Sequence, residues 1–221
     1  MTVKHTEVFM VRHGQTDSNV GGLFHGATDV PLNAYGLRQA ELVASRIERL
    51  EDLDSLHSSP LQRALTTAQA IASRISLQPI LHTGLSEMDF GQAEGLTLAT
   101  MSEQFPEMAI RFTDMSDHEA RFPGGESRRE FHNRVRTALD RIVADHSGER
   151  LVVVAHGGVI ASLVAQVLGD DPNDWRKYSI DNCSVTHLEL ATSGPIAHLL
   201  NDVVHLEEID IDDLGSEAGD G

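Results

Sequence analysis

The chain has 221 residues, room for one α/β domain or two small ones, and carries 17 basic against 34 acidic residues, a formal charge of −17. That field repels nucleic acid and anionic membrane surfaces, which excludes both as partners, and any anion the protein binds needs a local cationic pocket. One cysteine, Cys183, rules out an intramolecular disulfide; with no apolar signal-peptide core at the N-terminus and no apolar run long enough to cross a bilayer, a cytoplasmic protein is expected.

Residues 7–11, Glu-Val-Phe-Met-Val, read as a first strand that runs into Arg12-His13-Gly14-Gln15-Thr16. A fixed cation and an imidazole then stand side by side at a strand's carboxyl end, a place to hold a phosphate and attack it. Asn19 follows in a loop able to fold back, so its amide can donate to the same anion. Residues 33–50 predict a helix that buries Leu37, Ala40, Val43, Ala44, Ile47 and Leu50 on one face.

A short strand over 54–58 leads to Ser59-Pro60, the pattern of an N-cap with proline at the first helical position, and a helix to about Arg74. Arg63 falls in its first turn, near the positive end of the helix dipole, an unfavourable place for a cation unless an anion binds there. Residues 80–85 predict a third strand, and 97–117 loops with short helices. The Gly124-Gly125 break precedes a helix over 127–146, with Phe131, Val135, Ala138, Leu139 and Ile142 on one face.

Residues 151–155 are a continuous apolar run, as in a strand covered on both faces, and end in His156-Gly157-Gly158. A helix over 159–168 and strands over 184–190 and 196–204 complete the pattern. Strands alternating with helices predict an α/β domain with a largely parallel, doubly wound sheet. In such sheets ligands bind beyond the carboxyl ends of strands, where Arg12-His13 and His156-Gly157 both fall.

Neither a repeat nor a linker divides the chain, so residues 1–206 are expected to form one domain and 207–221 an acidic, flexible tail. A calcium loop in that tail would want an oxygen ligand where Leu214 stands. Twelve histidines invite a metal site, but there is no HExxH and one cysteine cannot build a thiolate zinc cluster, so no metal or other cofactor is expected. His5, His57, His82, His118, His132, His146, His187, His198 and His205 are expected at surface or strand positions.

Four segments in order, residues 12–19 (RHGQTDSN), 58–64 (SSPLQRA), 87–95 (EMDFGQAEG) and His156-Gly157-Gly158, resemble the motifs of the histidine phosphatase superfamily, the phosphoglycerate-mutase-like enzymes. The resemblance implies that family's three-layer α/β/α sandwich with a mostly parallel central sheet. It implies His13 as the nucleophile, Arg12 and Arg63 as phosphate grips, and His156 donating to the transferring oxygens with the Gly157 amide beside it. Of three rival carboxylates, Glu87, Asp89 and Glu94, composition selects none; the resemblance assigns the acid to Glu87 and leaves Glu94 to order the 91–95 turn.

By the same resemblance Asn19, His25 and Gly26 contact substrate. The expected activity is metal-independent hydrolysis of a small phosphorylated metabolite, a sugar phosphate or phosphoglycerate derivative, through a phosphohistidine. Residues 88–123, His25, Arg128 and Arg129 are the places where substrate choice would lie. A cofactor-dependent mutase is the runner-up: its longer insertion with added basic residues is replaced here by a short acidic stretch between Gly95 and Gly124. A non-catalytic phosphoanion or phosphopeptide-binding module is the reading from a different class. If the chain associates, a homodimer is expected.

Overall fold

An apolar, β-branched stretch makes β1 (Thr6–Arg12) a strand fit for burial on both faces, and it lies inside the sheet. The computed structural model describes residues 5–207; beyond Glu207, the acidic tail lies outside them. The other strands are β2 (Ser55–Ser58), β3 (Pro79–Leu81), β4 (Arg150–Ala155), β5 (Val185–Ala191) and β6 (Gly194–Asp202). They form one sheet in the order β3-β2-β4-β1-β5-β6. The first four in that order run parallel; β5 is antiparallel to β1, and β6 to β5.

Helices cover both faces, giving the expected three layers. On one, α2 (Ala34–Glu48) and α3 (Gln62–Ile75) pack Val43, Ala44, Ile47, Ala64, Ala68 and Ile71 onto Phe9, Val11, Leu56, Val152 and Val154. On the other, α6 (Arg128–Asp145) and α7 (Gly157–Leu168) pack Phe131, Val135, Leu139, Val159 and Leu163 onto Val8, Met10, Leu151 and Val153. Alternate residues of one strand thus feed two separate cores. Short helices α1 (Asp17–Gly21), α4 (Leu98–Gln104) and α5 (Pro106–Thr113) and several 3₁₀ turns join these elements.

Most predicted elements fall in place; the departures have local causes. Residues 17–21 form α1, capped by reciprocal bonds between Thr16 and Asn19, where only a loop was expected. The third strand stops at Leu81 because residues 83–85 close a 3₁₀ turn. Helix α3 starts at Gln62 rather than Pro60, with no side-chain cap, so Ser59 is no N-cap. Leu37 is half exposed and leaves the buried face of α2. His132 is buried within α6, where it bonds Ser162 and Asn173, and burial pushes its pKa down to about 4.

Candidate active site

Parallel pairing sets Arg12 beside Ala155, which carries His13 and His156 past the same edge of the sheet with ring centroids 5.1 Å apart. The His13 N–H donates to the Ala155 carbonyl (3.0 Å), and its own carbonyl accepts from Asn182 Nδ2 (3.0 Å). Thr67 of α3 accepts from the Gly14 N–H (3.1 Å). The main chain around His13 is therefore tied to β4, α3 and the turn before β5.

The tautomer of His13 follows from its neighbour. Nδ1 lies 2.7 Å from the Gly14 carbonyl oxygen, which can only accept, so Nδ1 carries the proton and Nε2 keeps its lone pair. Burial, then the Arg12 and Arg63 charges, hold the imidazole pKa well below its ordinary value. Asymmetry between the two arginines is equally plain. Arg63 is buried and spends its donors on protein: Nε on His156 Nδ1 (3.2 Å), one terminal nitrogen on the Thr28 carbonyl (2.9 Å), the other on the Gly26 (2.8 Å) and His25 (3.4 Å) carbonyls. Arg12 makes one bond, to the Ile180 carbonyl (2.5 Å), and its buried Nε has no partner among the described residues.

Because a guanidinium N–H can only donate, His156 Nδ1 is an acceptor and its Nε2 proton goes to Ser59 Oγ (2.8 Å). His156 is fully buried behind Arg63, and both ring nitrogens are taken. Sequence reasoning read Ser59 as a helix cap; its hydroxyl accepts from the Leu61 N–H (3.3 Å) just ahead of the helix and also serves a histidine 97 positions away. A serine at a strand end gives no local sign of that.

A cavity of about 210 Å³ opens here. Of the nine residues singled out from sequence, Arg12, His13, Asn19, His25, Arg63, Glu87 and Gly157 line it, whereas Gly26 and His156 lie behind it. Gly157 is the first residue of α7, so its N–H has no acceptor within the helix. Leu23, Val30, Phe90 and Trp175 also line the cavity; Phe90 falls within residues 88–123, where substrate choice was expected, whereas sequence patterns assigned Leu23, Val30 and Trp175 no such role.

Glu87 separates from its rivals by position. One carboxylate oxygen accepts from the Gly158 N–H (2.9 Å) at the start of α7, the other from the Met88 N–H (2.9 Å). Arg134 of α6 holds the Ser86 (2.8 Å) and Glu87 (3.2 Å) carbonyls, fixing the segment. Asp89 is spent on the Gly91 N–H (2.8 Å), outside the cavity wall. Glu94 does more than order its own turn: it accepts from Gly26, Ala27 and Phe90 at 3.0 Å and from Thr28 at 3.1 Å, holding the loop whose carbonyls grip Arg63. Burial opposes its charge, but bonds from Thr28, Phe90 and Ala27 win and keep its pKa below the usual carboxylate range.

Arg128 and Arg129, placed by sequence near substrate, take no part. Arg128 is buried, holding the Phe112 and Asp114 carbonyls at the end of α5, and Arg129 pairs with Glu119 on the surface. Gly158 supplies a sharp check on Glu87. A Cβ there would sit 2.5 Å from Glu87 Oε1, displacing the carboxylate and leaving the backbone in place. Gly158→Ala is expected to lower kcat by about tenfold to a hundredfold, the scale of a misplaced acid, with little change in Tm; steady-state kinetics and thermal denaturation read the two together.

Two cationic side chains, an imidazole whose Nδ1 faces a carbonyl and a carboxyl group gather at the carboxyl ends of a mostly parallel sheet, the place where α/β sheets bind ligands. The model of the histidine phosphatase superfamily (branch 1) matches residues 8–203, and the chain belongs to that superfamily, an enzyme family of phosphatases. It is 36% identical over 208 residues to phosphoglycerate mutase-like protein 4 of Arabidopsis thaliana, covering 93% of this chain and 89% of that one. It is 31% identical to phosphoserine phosphatase 1 of Hydrogenobacter thermophilus, covering 91% and 95%. Among solved structures, a putative alpha-ribazole-5'-P phosphatase from Escherichia coli superposes with a TM-score of 0.82 at 25% identity, covering 89% of this chain and 96% of that one. The mycobacterial glucosyl-3-phosphoglycerate phosphatase gives 0.79 at 30%, covering 90% and 100%. No helix among the described residues is long and apolar enough to cross a membrane.

Proposed function

We propose that the protein is a phosphomonoester hydrolase that works through a phosphohistidine at His13 on a small phosphorylated metabolite. The observation that carries this is the tautomer: Nδ1 committed to the Gly14 carbonyl leaves Nε2 as a free nucleophile beside two guanidinium groups. In the first step His13 Nε2 forms a bond to phosphorus as the ester P–O bond breaks, and Glu87, as the acid, gives its proton to the departing oxygen. In the second, the Glu87 carboxylate takes a proton from water, the water oxygen bonds to phosphorus, and the N–P bond breaks to release phosphate.

Arg12 has donors to spare and grips the transferring oxygens, joined by the Gly157 N–H and the Asn19 amide. Arg63, pinned by four acceptors, supplies fixed charge, and His156 acts through it by holding Nε. The names of the phosphoserine, alpha-ribazole and glucosyl-3-phosphoglycerate phosphatases support hydrolysis of a phosphate ester. Mutase-like relatives keep phosphoryl return as the second outcome. Release of phosphate from 4-nitrophenyl phosphate in excess EDTA is the expected result. Activity that required an added divalent ion would overturn the mechanism, and conversion of 3-phosphoglycerate to its 2-isomer outpacing hydrolysis would overturn the hydrolase assignment.

A further inference from the structure

The alcohol side of the cavity differs in character from its phosphate side. Leu23, Val30, Phe90 and Trp175 contribute apolar wall, and the polar pair Ser18 and His25 are bonded to each other through Oγ and Nδ1. Apart from Arg12 and Arg63, no lysine or arginine among the described residues lines the cavity. A guanidinium has five N–H donors, and Arg63 has given four to His156, Thr28, Gly26 and His25. What remains on Arg63, together with the open donors of Arg12, is matched by the three free oxygens of one phosphoryl group.

A second anion on the same substrate, a carboxylate or another phosphate, would face Glu87 and apolar wall with no lysine or arginine among the described residues to pair it. Its hydration would be lost without replacement. The surplus of 17 negative charges in the chain adds to the penalty. Arg111, Arg121 and Arg129, which with the buried Arg128 are the arginines of residues 88–129, are paired with Asp117, Glu119 and Glu130 on the surface.

We infer that the preferred substrates are monoesters of uncharged alcohols with an apolar face, and that esters carrying a second negative charge, phosphoglycerates and phosphoserine among them, are discriminated against. This inference rests on the hydrolase reading.

4-Carbamoylphenyl phosphate and 4-carboxyphenyl phosphate are nearly the same size and differ by one charge, which isolates the effect. At pH 8 and low salt, kcat/KM is expected to favour 4-carbamoylphenyl phosphate by at least about tenfold. Val30→Lys, which puts a cation in the alcohol wall from a loop position, is expected to shrink that ratio at least about threefold. The same pair of esters, titrated by calorimetry into His13→Ala protein, is expected to show the same order of Kd. A smaller or reversed preference overturns the inference. If neither ester is hydrolysed, the hydrolase reading fails by itself, and the Kd ratio still decides the preference; failure of both esters to bind overturns the two together.

Discussion

Replacing His13 with alanine is expected to lower kcat for phosphomonoester hydrolysis by at least about four orders of magnitude, the scale seen when a nucleophile that acts with its partners is removed. Phosphate binding should largely survive, because Arg12, Asn19 and the Gly157 N–H are untouched. Stopped-turnover labelling should trap phosphate on the native chain and none on His13→Ala. Turnover within tenfold of the native rate would remove His13 from the mechanism. The pH profile carries a second signature: burial with the Arg12 and Arg63 charges lowers the His13 pKa, so the nucleophile stays unprotonated as pH falls. The acid limb of kcat/KM that belongs to it therefore lies below pH 6.5, the ordinary imidazole value.

The same lowering affects stability. His156 shifts in the same direction, by burial first and then by the His13 and Arg63 charges. Unfolded imidazoles take up protons below about pH 6.5 that these two folded ones refuse, so their contribution is complete above that pH and is lost progressively as pH falls from there towards the lowered folded pKa values.

Gly26→Ala is expected to have the largest effect on the fold. A Cβ at this position would fall on the Met88 carbonyl, with Glu94 Oε1 only 3.0 Å away, so main chain must move rather than a side-chain tip. Overpacking of this kind costs about 3 kcal/mol, or a fall in Tm of roughly 6–12 °C for a chain of this length. Activity should fall further than stability explains, because the Gly26 N–H is held by Glu94 and its carbonyl holds Arg63. Thermal denaturation and kcat/KM at a temperature where the variant is fully folded separate the two effects. An unchanged Tm would mean that the loop does not approach residue 88 so closely.

The contrast between Gly26 and Ser59 marks how far sequence could reach. Motif spelling brought Arg12, His13, Arg63 and Glu87 forward, and the 3.6-residue period gave the buried faces of α2 and α6, because those signals are local. Ser59, Trp175 and Val30 owe their places to contacts with distant elements, which no window of sequence records. Ser-Pro is a helix-start pattern, and the hydroxyl does take the Leu61 N–H ahead of the helix, but its second bond, to His156, is non-local and has no local sign. Gly26 was named as a substrate contact; its place is set by the backbone of residue 88, and it reaches substrate only through Arg63. Arg128 misled for the opposite reason, since a buried arginine holding carbonyls is spelled like a binding one.

The two cores on opposite faces of the sheet have a consequence for how the enzyme fails. Arg63 and Thr67 come from the layer of α2 and α3, Glu87 and Gly158 from the layer of α6 and α7, and Arg12 and His13 from the strand shared by both. No partially opened form that releases either layer can keep the site assembled. Catalysis should consequently disappear at the first sub-global opening, so that loss of turnover in mild denaturant measures the weaker of the two halves and precedes, or at the latest accompanies, collapse of the whole.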